Sequence, residues 1–291
     1  NNAYTNIMVA WLLRRTSRAL ELVPEFRRRE LVEKLGLRRE EEERWEELCR
    51  KLAVPFHGDR IISQFEGYAD LEEFDWVGYS ERYGDIQRLD RILEAEEDSP
   101  NRYQASKQAD VLMLFYLLAK EEIADVLNHL GYEWDDDLIA RNVEYYMGRT
   151  SHGSTLSRLV HSWVLARSDQ QRSWEFFLDA LYSDVADIQG GTTAEGIHLG
   201  AMAGTVDLVQ RCFGGVQTRN GVLRFDPAVP KELGRLVFVV QYRGVWIGCE
   251  VAEDHVVLDV SSGPGSPITV AVRDTEFVME PGSRHEVALT P

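Results

Sequence analysis

The hydrophobic period changes once along this chain, and that change constrains the fold more than any other feature. Up to about residue 213 the apolar residues recur at helical spacing. Tyr4, Met8, Trp11 and Leu12 share one helix face, and Asn1 or Asn2 can cap that helix. After Gly214 and Gly215 the period falls to two, and 236–241, 245–251, 256–260, 268–272 and 275–279 read as strands. The junctions at Arg243-Gly244, Glu253-Asp254 and Arg273-Asp274 are as short as hairpins require. The pattern predicts a mainly α chain with a C-terminal β domain: helices over 1–214, then a small antiparallel sandwich over 215–291.

Within the helical part, 25–36, 39–52, 86–97, 107–119, 120–130, 135–148, 154–166, 171–182 and 196–213 carry the period. Segment 107–119 is apolar almost all round and should be buried on both sides. Segment 39–52 is strongly charged on one side, as a solvated face is. Inner and outer helices mixed in this way suggest two concentric layers, with the long loops gathered at one rim. Segment 54–83 is less regular and crowded with aromatics, among them Phe65, Tyr68, Trp76 and Tyr79. A loop of that kind borders a binding site or packs with no ligand at all.

Charge narrows the range of partners. The chain carries 32 basic and 49 acidic residues, a net charge of −17. Such a surface repels polyanions, so nucleic acid and acidic membrane are poor partners, whereas a neutral sugar is unaffected. Cys49, Cys212 and Cys249 lie far apart with no C-x-x-C pair, so neither a zinc site nor a disulfide framework is expected. The pattern suits a reducing cytoplasm. No signal peptide is evident, and the apolar run 111–118 is far too short to span a bilayer. The chain has no initiator Met and opens abruptly on Asn1, which gives the expectation of a fragment.

Three loop–helix junctions can carry chemistry. The first, Tyr103-Gln104-Ala105-Ser106-Lys107-Gln108-Ala109-Asp110, sets a cation, an amide and a carboxylate before an apolar helix. Buried there, Lys107 and Asp110 need partners, either each other or a polar ligand such as a sugar ring. The second, from Arg149 to Ser157, surrounds Gly153 with small hydroxyl residues entering a helix. Backbone N–H groups at such a helix start can cradle an anion, although Ser and Thr also cap helices for structural reasons. The third, from Gly190 to Gly200, again runs from glycine and threonine into a helix, with Glu195 and His198 three apart on its first turn. His198 is there a candidate for binding or catalysis, or a structural residue.

These segments resemble glycoside hydrolase family 65, which includes maltose, trehalose, kojibiose and nigerose phosphorylases and some hydrolases. The resemblance rests on NNAYTN at Asn1–Asn6, QFEGY at Gln64–Tyr68, KQADV at Lys107–Val111, SHGSTLS at Ser151–Ser157 and TTAEGIH at Thr192–His198. It implies the second half of an (α/α)6 barrel followed by the small β domain. By residue it implies that Lys107 and Gln108 hold the glucosyl unit, and that Ser151, Gly153, Ser154 and His198 hold phosphate. The family's general acid is a Glu just before NNAYTN. No residue of this chain takes that role by motif, and the 291-residue piece is expected to be inactive alone.

The implied reaction of the parent is inverting phosphorolysis of an α-linked glucose disaccharide to β-glucose 1-phosphate and a sugar. It would use inorganic phosphate as co-substrate, no other cofactor and no metal, and the whole protein could be a homodimer. A hydrolase reading would make Glu195 the base that activates water, because water, unlike phosphate, needs one. A reading of another class is a non-catalytic carbohydrate-binding or scaffold fragment.

Overall fold

The computed structural model describes residues 1–188 and 193–289, and of Glu195 only the backbone. The chain packs as two compact units, Asn1–Gly153 and Ser154–Pro291.

The first unit is helical. Helix α1 (Ala3–Leu22) is capped by Asn2, whose Oδ1 accepts from the Thr5 N–H at 2.8 Å. Its buried stripe is Ala3, Ile7 and Ala10. Helix α2 (Glu25–Leu35) stops where Gly36 turns left-handed at φ 63, as helix ends favour. Helix α3 (Arg39–Lys51) keeps its charged side in solvent and buries Cys49. A two-stranded hairpin follows, β1 (Phe56–His57) with β2 (Ile61–Ile62). Asn142 pins it from below. Fully buried, Asn142 accepts from the Ile62 N–H at 2.9 Å and donates to the Leu138 carbonyl at 2.7 Å.

The aromatic segment read as irregular contains a helix, α4 (Trp76–Tyr83). Asp75 caps it by accepting from the Gly78 N–H at 2.9 Å, a short-range signal that the scattered glycines hide. Helix α5 (Leu89–Ala95) follows, then α6 (Val111–Leu117), α7 (Lys120–His129) and α8 (Leu138–Met147). Helix α6 is buried as its composition requires: Val111, Leu112 and Leu114 are all 0% exposed. It starts four residues later than its apolar pattern suggests. Ser106 donates to the Arg149 carbonyl and Ser151 to the Ser106 carbonyl, both at 2.8 Å. That bridge holds the preceding segment extended, so Lys107 and Gln108 lie on a loop and not on the helix.

The second unit begins with α9 (Thr155–Leu165), α10 (Gln170–Tyr182) and α11 (Leu199–Asp207), and a π-helical turn over Leu208–Phe213 closes the helical part. Small residues let these helices approach. A Cβ on Gly204 would stand 2.3 Å from Leu159 Cδ1. Ser162 and Ser173, both buried, meet at 3.3 Å between α9 and α10.

His161, fully buried on α9, places its Nδ1 2.7 Å from the Ser157 carbonyl and its ring beside Phe176. Burial drives its pKa down to about 4. The unfolded chain therefore protonates this ring below about pH 6.5, and the folded chain does not until about pH 4. The stability linked to it is full above the upper value and lost as pH falls through the window. We expect a loss of roughly 2–3 kcal/mol between pH 7 and 4.5. Urea midpoints of wild type and His161→Gln at both pH values check it. A gap between the two proteins that does not change with pH would refute it.

The strands are β3 (Val216–Arg219), β4 (Val222–Phe225), β5 (Arg235–Tyr242), β6 (Val245–Ala252), β7 (His255–Val260), β8 (Ile268–Val272), β9 (Thr275–Met279) and β10 (Arg284–Ala288). They form two four-stranded sheets, ordered β10-β7-β6-β5 and β3-β4-β8-β9. Every pair is antiparallel except β4 with β8, which is parallel, so the sandwich is mixed in one place. Buried residues of both sheets, among them Ile247, Val251, Phe225 and Val270, share one apolar core. Strands β3, β4 and β10 are short or polar and give little alternation, which is why the period of two does not mark them.

Candidate functional site

Three of the sequence segments and the start of a fourth, 151–153, meet inside the first unit. The opening residues pair with the QFEGY segment: Ala3 donates to the Gln64 carbonyl and Glu66 to the Asn1 carbonyl, both at 2.9 Å. Gln64 in turn donates from its amide to the Ser106 hydroxyl, which fixes the QFEGY segment against the 103–110 junction. Ser106 bridges Thr150, which ties that junction to the SHGS loop. Backbone pairing is therefore what brings side chains from distant positions to one place.

At that place lies a cavity of about 310 Å³. This is at the lower end of the range for small-molecule sites, roughly 300–1,000 Å³. Phe65, Tyr68 and Tyr103 give it aromatic walls. Its polar lining includes Gln64, Ser106, Lys107, Gln108, Ser151 and the carboxylates Asp90 and Asp110. The sequence-predicted residues Lys107, Gln108 and Ser151 are thus brought together. Aromatic faces with converging amides, hydroxyls and charges can grip a polar ring from its faces and its edge.

Lys107 and Asp110, which could have paired with each other, do not. The Lys107 ammonium reaches Asp90 Oδ2 at 2.9 Å. Burial raises the Asp90 pKa, but the hydrogen bond and charge of Lys107 outweigh it and hold the carboxyl below its usual range. Arg88 stands 3.7 Å away on the other side. Asp110 instead takes a long contact of 3.5 Å from the Asn2 amide. Burial pushes its carboxyl up, and Asn2 offsets this only in part.

The SHGS loop is anchored at its entry by Arg149. That guanidinium lies over the Tyr145 ring at 3.9 Å and meets Glu73 at 2.6 Å. Ser151 is 5% exposed, with its hydroxyl 3.5 Å from the Gln87 carbonyl. His152 is held at φ 57, a left-handed conformation that costs a non-glycine residue free energy and tends to occur at functional loops. Gly153 has no room for a side chain: a Cβ would stand 2.6 Å from the Gln87 carbonyl and 2.9 Å from Lys107 Cγ.

Ser154 and the third segment belong to the second unit. Ser154 is the N-cap residue of α9, in extended conformation. The Gly- and Thr-rich start of the third segment, Gly190 to Thr192, lies outside the described residues, as does the side chain of Glu195, the candidate base of the hydrolase reading. The backbone of Thr193–Glu195 forms one 3-10 turn, and α11 begins only at Leu199. Glu195 and His198 therefore do not share the first turn of one helix. The reason is Asp184. It accepts from the His198 N–H at 2.9 Å and meets His198 Nδ1 at 2.5 Å, which holds His198 at the N-cap position. The bond to the His198 ring holds the Asp184 carboxyl below its usual range.

Asp90 and Asp184 are the residues that sequence reasoning missed. Asp90 precedes Lys107 by 17 positions, and Asp184 precedes His198 by 14. No local periodicity links such pairs. The aromatics Trp76 and Tyr79 pack on Phe74 with Leu89 and Leu93, and they do not line the cavity. Among the described residues, no three His, Cys, Asp or Glu side chains are grouped to hold a metal ion, and no helix is long and apolar enough to cross a membrane. The three cysteines are free and buried.

Helices carrying a polar cavity at their loop junctions, followed by a β domain, define the class. Residues 1–207 match the glycosyl hydrolase family 65 central catalytic domain, and residues 216–279 match the family's C-terminal domain. The chain belongs to glycosyl hydrolase family 65. It is 51% identical over 273 residues to an "uncharacterized glycosyl hydrolase" of Mycobacterium tuberculosis, covering 94% of this chain and 20% of that protein. It is 35% identical over 283 residues to the trehalose 6-phosphate phosphorylase of Lactococcus lactis, covering 97% of this chain and 35% of that protein. A solved structure named "Putative kojibiose phosphorylase from human microbiome" superposes with a TM-score of 0.76 at 21% identity, over 99% of this chain and 37% of that one. The likeness agrees with the fold class read from the sequence, the second half of an (α/α)6 barrel followed by a small β-sandwich. The chain thus spans between about a fifth and a third of the length of these curated relatives.

Proposed function

We propose that the protein is an inverting α-glucoside phosphorylase that converts an α-linked glucose disaccharide and phosphate to β-glucose 1-phosphate and a sugar. The observation that carries this reading is the cavity in which Lys107, Gln108 and Ser151 converge between aromatic walls. The names of the relatives, trehalose 6-phosphate phosphorylase and kojibiose phosphorylase, support it.

On this reading Lys107 and Gln108 hold the glucosyl hydroxyls. Ser151 and Gly153 lie on the loop that receives phosphate, and the phosphate roles of Ser154 and His198 rest on the family resemblance alone. Phosphate oxygen attacks the anomeric carbon from the face opposite the leaving oxygen, so the configuration inverts. The bond from that carbon to the leaving oxygen breaks as the oxygen takes a proton from a general acid, which the resemblance assigns to a Glu preceding Asn1. Phosphate is already nucleophilic, so no protein base is required.

The test uses the protein expressed from its complete reading frame, assayed on trehalose, trehalose 6-phosphate, kojibiose and maltose with and without phosphate. The expected result is β-glucose 1-phosphate, seen by NMR, formed from one of these only when phosphate is present. Release of glucose at the same rate without phosphate would overturn the reading in favour of a hydrolase.

A further inference from the structure

We propose that Asp110 is a sugar-anchoring residue whose carboxylate accepts hydrogen bonds from hydroxyl groups of the pyranose ring bound in the cavity. The proposal rests on reading the cavity as a sugar site, and not on whether the attacking group is phosphate or water.

Asp110 lines the cavity, partly buried, at the loop end before α6. Among the described residues, its neighbours leave its acceptor capacity largely unused. Lys107, the cation three residues away, is committed to Asp90 at 2.9 Å. The side chain does not cap α6. The Asn2 amide contact, at 3.5 Å, is at the outer limit of a hydrogen bond. A carboxylate offers up to about four acceptor positions, and one drawn out of water with a single weak donor is costly. That cost is removed by a ligand that brings O–H donors and no negative charge.

The rest of the lining selects the ligand. Phe65, 38% exposed, presents an aromatic wall suited to the C–H face of a pyranose. The Lys107 ammonium lines the same cavity and disfavours a cationic occupant. Gln108 and Asp110, two apart on one loop, supply complementary donors and acceptors for neighbouring ring hydroxyls.

The experiment is calorimetric titration of the protein from its complete reading frame with methyl α-glucoside and its 2-, 3-, 4- and 6-deoxy derivatives, without phosphate. Wild type is compared with Asp110→Asn. We expect Asp110→Asn to weaken the parent glucoside about 10- to 30-fold, the worth of one charge-assisted hydrogen bond. We also expect at least one deoxy compound that binds poorly to wild type to lose nothing further in the variant, because the bond is already absent. Asp110→Glu keeps the charge and moves it by one methylene, and it carries the same comparison if the Asn variant does not fold. Equal losses for every deoxy compound in both proteins would overturn the proposal, as would no binding of the parent glucoside to wild type. Asn2→Ser retains the cap of α1. If it reproduces the Asp110→Asn pattern, Asp110 acts through Asn2 and the proposal fails. Hydrolysis without phosphate would sink the phosphorylase reading and leave this coupling intact.

Discussion

On the phosphorylase reading, replacing Lys107 by Met, in the protein expressed from its complete reading frame, is expected to lower kcat/KM for the glucosyl substrate about 1,000-fold while the melting temperature stays nearly unchanged. The two halves of this expectation come from different features of one side chain. The Lys107 head is half exposed on the cavity, and one of its three N–H donors is taken by Asp90 at 2.9 Å. Two donors therefore remain for substrate oxygens. Charge-assisted hydrogen bonds are worth roughly 1.5–3 kcal/mol each, and two of them amount to about three powers of ten in rate. The ion pair itself adds little to folding, because pairs this exposed contribute about 0–1 kcal/mol. Met keeps the stem volume, so the loop should retain its packing. Steady-state kinetics and thermal melts on the same preparation check both halves. A variant within threefold of wild type in kcat/KM would exclude Lys107 from the site.

No sequence pattern indicates Asp90 as the partner of Lys107, because the two stand 17 positions apart on different elements. Helices and strands repeat at short range, so a helix within 107–119 and a strand at 245–251 can be placed from a few neighbouring residues. Strands Ile268–Val272 and Thr275–Met279 stand where the period puts them. The motifs at Lys107–Gln108 and Ser151–Gly153 are also legible, because small or charged residues at a loop–helix junction stand out against apolar helices.

Long-range pairing is not legible in this way. The bridge of Ser106 to Thr150 and the contacts of Gln64 with Ala3 and Ser106 bring the motifs together, and each joins residues more than 40 positions apart. The same bridge moves the start of α6 past Lys107, against the apolar pattern. Asp184 likewise takes over the N–H of His198 and shifts the start of α11. In both places a tertiary hydrogen bond overrides local helix preference, at a segment that the sequence had singled out for chemistry.

Gly153→Ala tests the other half of the cavity, the SHGS loop, through space rather than charge. The added Cβ would stand 2.6 Å from the Gln87 carbonyl oxygen, a distance that real Cβ contacts essentially never show, and 2.9 Å from Lys107 Cγ. The lysine stem can swing aside, but the carbonyl belongs to the backbone and cannot. The loop must therefore back away from Gln87, and it carries Ser151, whose hydroxyl is 3.5 Å from that same carbonyl. A displacement of this order at a positioning loop costs about 100-fold in rate. Overpacking of this kind also destabilises by roughly 1–3 kcal/mol. Because the clash pushes on both the loop and the Lys107 stem, the apparent affinities for phosphate and for the sugar should weaken together. Lys107→Met, which leaves the loop in place, should affect the sugar alone. Gly148→Ala is the control: it lies just upstream, its Cβ would meet nothing within 4 Å, and it should behave as wild type. If Gly153→Ala instead leaves the phosphate KM at its wild-type value while kcat/KM for the sugar falls, the loop serves only to support Lys107. Its reading as the phosphate cradle would then have to be given up.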